Sequence, residues 1–128
     1  MIYRELSAEE FNDLASRILY EDNHIIVVNI RCGELVQPDR ETEEALENDI
    51  KTMIKVRDHK PGDVFLGVVH RIDRPVSGAV VFAKTSKALT RLNEMIRNGE
   101  IHKTYWAIVE ARPAQEEGSL THYIVRDG

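Results

Sequence analysis

The chain has 128 residues, enough for one domain and one real core. Its 42% apolar and 30% charged residues suit a soluble globular protein, and no uncharged apolar run nears the roughly 20 residues that cross a bilayer. A net charge of −5 counts against a nucleic-acid partner, because phosphate contacts need Lys and Arg.

The N-terminal stretch carries Glu5, Glu9 and Glu10 and lacks a basic segment followed by an apolar one, so no secretory signal is expected. Residues 17–20 and 24–30 read as two strands around the turn-forming Glu21-Asp22-Asn23. Cys32 is the single cysteine, which excludes an internal disulfide and a cysteine-cluster metal site. It suits a reducing, cytoplasmic setting and reads as inert.

Residues 42–56 are predicted to form a helix. Leu46, Ile50, Met53 and Ile54 recur at helical spacing, Thr42 can cap, and Glu43 and Glu44 suit the positive end. Residues 39–63 hold eight acids against five bases. The acidic character is therefore local.

Pro61-Gly62 breaks the chain, and the apolar run 64–69 predicts a buried strand, as does 79–83. A second helix is expected over 86–98, with Leu89, Leu92, Met95 and Ile96 on one side and Gly99 ending it. Residues 101–111 alternate like a half-exposed strand, placing Lys103 and Tyr105 on one face and Trp106 on the other, toward the core. Residues 120–125 read as a last strand. No repeat or low-complexity tract is visible, and this order predicts an α+β domain with a mixed, mainly antiparallel sheet and flanking helices.

Between the strands at 64–69 and 79–83 lies His70-Arg71-Ile72-Asp73-Arg74-Pro75-Val76-Ser77-Gly78, an acid between two arginines. Flanking guanidinium groups favour the carboxylate form of Asp73, as a nucleophile or base requires. The same arginines suit phosphate or a stacked base. From 70 to 105 seven bases face three acids, so a basic face exists despite the overall charge. By composition alone, an Arg-x-Asp-Arg stretch is more commonly a loop salt bridge.

The loop, followed by Val81-Phe82-Ala83-Lys84-Thr85, closely resembles the signature of RluA-type pseudouridine synthases. Upstream, Ile18-Leu19-Tyr20-Glu21-Asp22, Ile26-Val27-Val28-Asn29, Gly33 and Val36-Gln37-Pro38-Asp39 resemble that family's opening hairpin. Downstream, Lys103-Thr104-Tyr105-Trp106-Ala107 resembles the strand carrying its active-site tyrosine. Three blocks occur in order, from Ile18 to the end of the chain. Departures are Ile30-Arg31 where the family has Lys-Pro, and Val76 where it has Thr. The family's Gly-Arg-x-His-Gln-Ile-Arg-like segment and the basic partner of its Asp are not found here. A pseudouridine synthase-like fold, incomplete at its C-terminus, is therefore expected over residues 1–128.

The resemblance implies isomerisation of uridine to pseudouridine in ribosomal or transfer RNA, without metal or cofactor. Asp73 would be the nucleophile, attacking either the ribose or the uracil. Tyr105 would pack on the uracil and assist proton transfer. Arg71 would fill the space left by the flipped uridine. Arg74 would contact phosphate or be merely solvated, and His70, counted with these RNA-facing residues, would fix the loop through its ring nitrogens. Lys103 is a further RNA contact or an exposed strand lysine. His24, His59, His70, His102 and His122 show no ligand spacing. The short stretch before Ile18 leaves no room for an extra RNA-binding domain, which points to recognition by the catalytic domain alone.

Other classes compete. A nucleoside or glycoside hydrolase also suits an aspartate nucleophile, but no second carboxylate pairs visibly with Asp73. His70-Arg71 followed by an acid is out of register for a kinase loop, and no Gly-rich loop accompanies it. A non-catalytic RNA-binding fragment, lacking half the expected site, is the remaining alternative. Self-association through an open sheet edge is expected as well.

Overall fold

In the computed structural model, which describes residues 3–38 and 45–126, the chain begins with a helix, α1 (Ala8–Ser16). The sequence reading above has no helix there. Its signal was present: Ser7 and Glu10 form a capping box, with Glu10 N–H donating to Ser7 Oγ at 3.1 Å and Ser7 N–H to Glu10 Oε1 at 3.1 Å.

β1 (Ile18–Glu21) and β2 (Ile25–Ile30) follow as an antiparallel hairpin. The Asp22 carboxylate holds its turn by accepting from the backbone N–H groups of His24 and Ile25 at 2.7 and 2.9 Å. α2 (Leu46–Arg57) comes next; its first turn carries Glu47 and Asp49 and its last carries Lys55 and Arg57, matching the helix dipole. The expected cap and acids at Thr42, Glu43 and Glu44 lie outside the described residues. β3 (Gly67–Val68) is what forms of the strand expected over 64–69. β4 (Gly78–Ala83) and α3 (Ser86–Arg97) complete the regular structure of the described residues.

The four strands form one antiparallel sheet in the order β1-β2-β4-β3. β2 and β4 pair along their whole length, from Ile25 opposite Ala83 to Ile30 opposite Gly78. That register places Ile26, Val28, Ile30, Val80 and Phe82 on one face, all fully buried. Ile50, Met53 and Ile54 of α2 and Leu14 of α1 join this core, with Val36, Leu46, Val64 and Leu66. Each such side chain contributes roughly 1.5–3 kcal/mol on burial.

α3 packs against β4 and β3. Its Leu89 side chain lies where a Cβ on Gly67 would come within 2.9 Å, so the glycine lets helix and strand approach without displacing that leucine. Thr85 caps the helix by accepting from Ala88 N–H at 3.1 Å. Gly99, at φ +69°, ends it: Glu100 N–H reaches Met95 O at 2.8 Å and Gly99 N–H reaches Ile96 O at 3.1 Å.

The strands expected over 101–111 and 120–125 are not formed. Residues 102–126 are exposed and carry neither helix nor strand. An alternating pattern becomes a strand only against a partner, and none lies beside these residues among those described. Trp106, expected in the core, is 98% exposed for the same reason. The fold class stands as expected: α+β, with an antiparallel sheet and flanking helices.

Candidate active site

The loop between β3 and β4 carries His70, Arg71, Asp73 and Arg74, and four hydrogen bonds to backbone groups fix its course. His70 is half-buried, and its Nε2 accepts the Val81 backbone N–H at 3.1 Å. Val76 N–H donates to Asp73 O at 2.8 Å, closing a turn over Arg74-Pro75. Gly33 N–H donates to Arg74 O at 2.6 Å, while Arg74 Nε donates to Gly33 O at 3.0 Å.

Asp73 itself is exposed, and among the described residues its carboxylate has no hydrogen bond or ion pair. The arginines beside it in sequence do not pair with it: Arg74 turns to Gly33, and Arg71 is exposed without an ion pair among the described residues. Neither flanking guanidinium group therefore forms a direct ion pair with the Asp73 carboxylate. What remains is an acid held on an anchored loop and open to a ligand.

The anchor reaches back to the N-terminal helix. Arg17, which caps α1, has its side chain 7% exposed and pairs through Nη1 and Nη2 with both carboxylate oxygens of Glu34. Its Nε donates to Asn29 O at 2.9 Å. Glu34 Oε1 also accepts from Arg31 N–H at 2.6 Å, so the turn containing Gly33 is held from both sides. Sequence reading missed Arg17 and Glu34, whose pairing depends on a turn that only the folded hairpin creates.

Beside the loop lies a cleft of about 590 Å³. His70, Ile72, Val76, Ser77, Ala79 and Val81 form one wall, and residues 101–106 the other. Tyr105 lines this cleft and is 60% exposed. Thus His70 and Tyr105 share the cleft, whereas Asp73, Arg71 and Arg74 do not line it. Burial holds the His70 imidazole below its ordinary pKa, and the positive charge of Lys103 across the cleft acts in the same direction.

A second cleft, of about 270 Å³, lies where β2 begins against α3. His24, Lys87 and Arg91 surround a floor of Ile25, Ala88 and Leu92. Lys87 and Arg91 stand one helical turn apart and have no ion pair among the described residues. That i, i+4 pair was readable in the sequence. Among the described residues no group of three or more His, Cys, Asp or Glu could hold a metal ion, and no helix is long and apolar enough to cross a membrane. Cys32 is exposed and unpaired.

The sequence model of the RNA pseudouridylate synthase family matches residues 24–127. A dual-specificity RNA pseudouridine synthase RluA of Yersinia pestis is 37% identical over 110 residues, covering 86% of this chain and 50% of that protein. The ribosomal large subunit pseudouridine synthase C of Escherichia coli is 34% identical over 99 residues, covering 77% of this chain and 29% of that one. Among solved structures, human RNA pseudouridylate synthase domain containing 4 superposes with a TM-score of 0.59 at 20% identity, over 70% of this chain and 33% of that chain. The chain spans about half the length, or less, of these curated relatives.

Proposed function

This chain belongs to the RNA pseudouridylate synthase family, and on that premise we propose that its loop 70–78 serves the isomerisation of uridine to pseudouridine in ribosomal or transfer RNA. The observation that carries this reading is Asp73: its loop is tied down on both sides while its carboxylate stays exposed and, among the described residues, unpaired. A salt-bridging structural aspartate would show the reverse.

In this reading Asp73 is the nucleophile. It attacks the ribose or the uracil ring as the base is detached, turned and rejoined through carbon. Tyr105, in the adjoining cleft, packs on the target uracil and assists the proton transfer. Arg71 occupies the stack vacated by the flipped nucleotide, an event that costs a few kcal/mol of unstacking. Arg74 keeps its Nε on Gly33 and turns its terminal nitrogens to phosphate. His70 stands on the RNA side as part of the cleft wall. The basic cleft with Lys87 and Arg91 gives the backbone a place to rest despite the net charge of −5. The setting is cytoplasmic, and no metal or cofactor enters the reaction.

A second reading, an RNA-binding module without turnover, is favoured by one observation: among the described residues no base pairs with Asp73. Asp73→Asn separates the two, since Asn keeps the shape but cannot be an anionic nucleophile. Tritium release from uridine-labelled RNA should vanish while RNA binding persists. Release at near the wild-type rate in that variant sinks the nucleophile assignment, and no release from either protein selects the binding module.

A further inference from the structure

β3 stops at Val68, opposite Phe82, so the next residue of β4 has no strand beside it on that side. The Val81 N–H would be an orphan donor at a sheet edge, of the kind that folded chains satisfy by other means. Here the imidazole of His70 takes it, with Nε2 at 3.1 Å.

We propose that His70 is a positioning residue: its neutral ring stands in for the missing strand at Val81 and sets the direction in which the Asp73 loop leaves the sheet. Its effect on turnover rests on the pseudouridine-forming reading above; its place in the fold does not.

The hydrogen bond dictates the chemistry of the ring. An amide N–H can be accepted only by an unprotonated nitrogen, so Nε2 carries no proton and the neutral ring bears it on Nδ1. Nδ1 is buried and has no partner among the described residues. A second proton on Nε2 would set two donors against each other at Val81. The charged and titratable groups on the facing wall of the cleft are His102, Lys103 and Tyr105, and no acid lines it. Nothing there would stabilise an imidazolium. The depressed basicity of His70, caused first by burial and then by Lys103, agrees with a ring kept neutral.

The consequence reaches Asp73. Between Val81 and Gly33 the loop has two outer ties, the His70 ring and the Arg74 clamp, with Asp73 between them. Freeing one tie lets the carboxylate drift, and a displacement of about 1 Å can cost roughly 100-fold in rate.

The test compares His70→Gln with His70→Phe. Gln places Oε1 near the position of Nε2 and can accept the Val81 N–H at any pH; Phe keeps the ring volume but accepts nothing. Imidazole nitrogen shifts by NMR should give the Nδ1–H tautomer in the wild type. Hydrogen exchange at the Val81 amide should be slow in wild type and His70→Gln and about tenfold or more faster in His70→Phe. Turnover should be about tenfold or more higher in His70→Gln than in His70→Phe, with KM for RNA alike. The wild type should lose kcat as pH falls through the His70 pKa, and His70→Gln should lack that loss. The proposal is overturned by an Nε2–H tautomer, or by Val81 exchange unchanged in His70→Phe. It is equally overturned if His70→Gln protects Val81 yet turns over no faster than His70→Phe, because the ring proton itself would then be at work. Should His70→Phe fail to fold, the wild-type tautomer and the pH profile of His70→Gln decide. If no protein converts uridine while the Val81 pattern holds, the reaction reading fails and the positioning assignment stands.

Discussion

Arg74 and Gly33 hold each other through two reciprocal hydrogen bonds, Gly33 N–H to Arg74 O at 2.6 Å and Arg74 Nε–H to Gly33 O at 3.0 Å. Forty-one positions apart in sequence, they join the turn after β2 to the residue that follows Asp73. The turn offers its peptide in this orientation because Gly33 sits at φ +93°, a backbone region that residues with a Cβ rarely adopt.

Gly33→Ala isolates that requirement, since a Cβ there meets nothing within 4 Å and only backbone strain is added. The variant should lose about 1–2 kcal/mol of stability by urea denaturation. Turnover should fall further than stability explains, as the clamp on Arg74 loosens. A Gly33→Ala protein with the wild-type denaturation midpoint and rate would show that the turn is not needed in this form.

Removing Glu34 should be costly. Its carboxylate is the partner of the buried Arg17 guanidinium and an acceptor for Arg31 N–H. Glu34→Ala leaves the buried Arg17 with its Asn29 bond and a longer bridge to Asp13 at 3.8 Å, for a predicted loss of roughly 1–3 kcal/mol. A loss under about 0.5 kcal/mol would place this pair with the weak surface bridges.

Acid stability should depend on Arg57. It grips the Glu21 carboxylate with both terminal nitrogens at 2.7 Å, and Lys84 Nζ adds a bond at 2.6 Å. Arg57 first, then Lys84, holds Glu21 below the usual carboxylate range against the opposing effect of burial; Arg57 lowers Asp58 as well. A lowered folded pKa contributes stability that is present above the unfolded value and disappears as pH falls through the folded one. The wild type should therefore exceed Arg57→Met in stability near neutral pH, and the gap should close below about pH 4. A gap constant from pH 7 to 3 would mean Arg57 acts by packing alone.

The 14.7 kDa chain by itself should self-associate. β3 covers only Phe82 and Ala83 of one β4 edge, and Trp106, Ile108, Leu120, Tyr123 and Ile124 are each more than 90% exposed. Open edges and apolar surface of this kind pair with further copies. Light scattering at micromolar concentration should give a mass well above that of the monomer; a strictly monomeric chain would refute the expectation.

What the sequence determined by itself is local or periodic. The runs 79–83 and 24–30 could be read as strands because β-rich apolar segments between turn residues have few other uses, and α3 because Thr85, the apolar stripe and Gly99 mark its start, face and end. The capping box Ser7–Glu10 was equally local, and α1 was readable there although it was missed. Asp73 and its loop were legible as a motif of residue types in fixed order. The tertiary structure decided whatever depends on a distant partner. It sent Arg74 to Gly33 instead of Asp73, and it gave Arg17 the distant Glu34 in addition to its helical neighbour Asp13. It gave His70 an amide to accept where a strand ends early. It also left 101–111 without a strand, because alternation specifies which side chains would share a face, while the hydrogen bonds that make a strand must come from another segment.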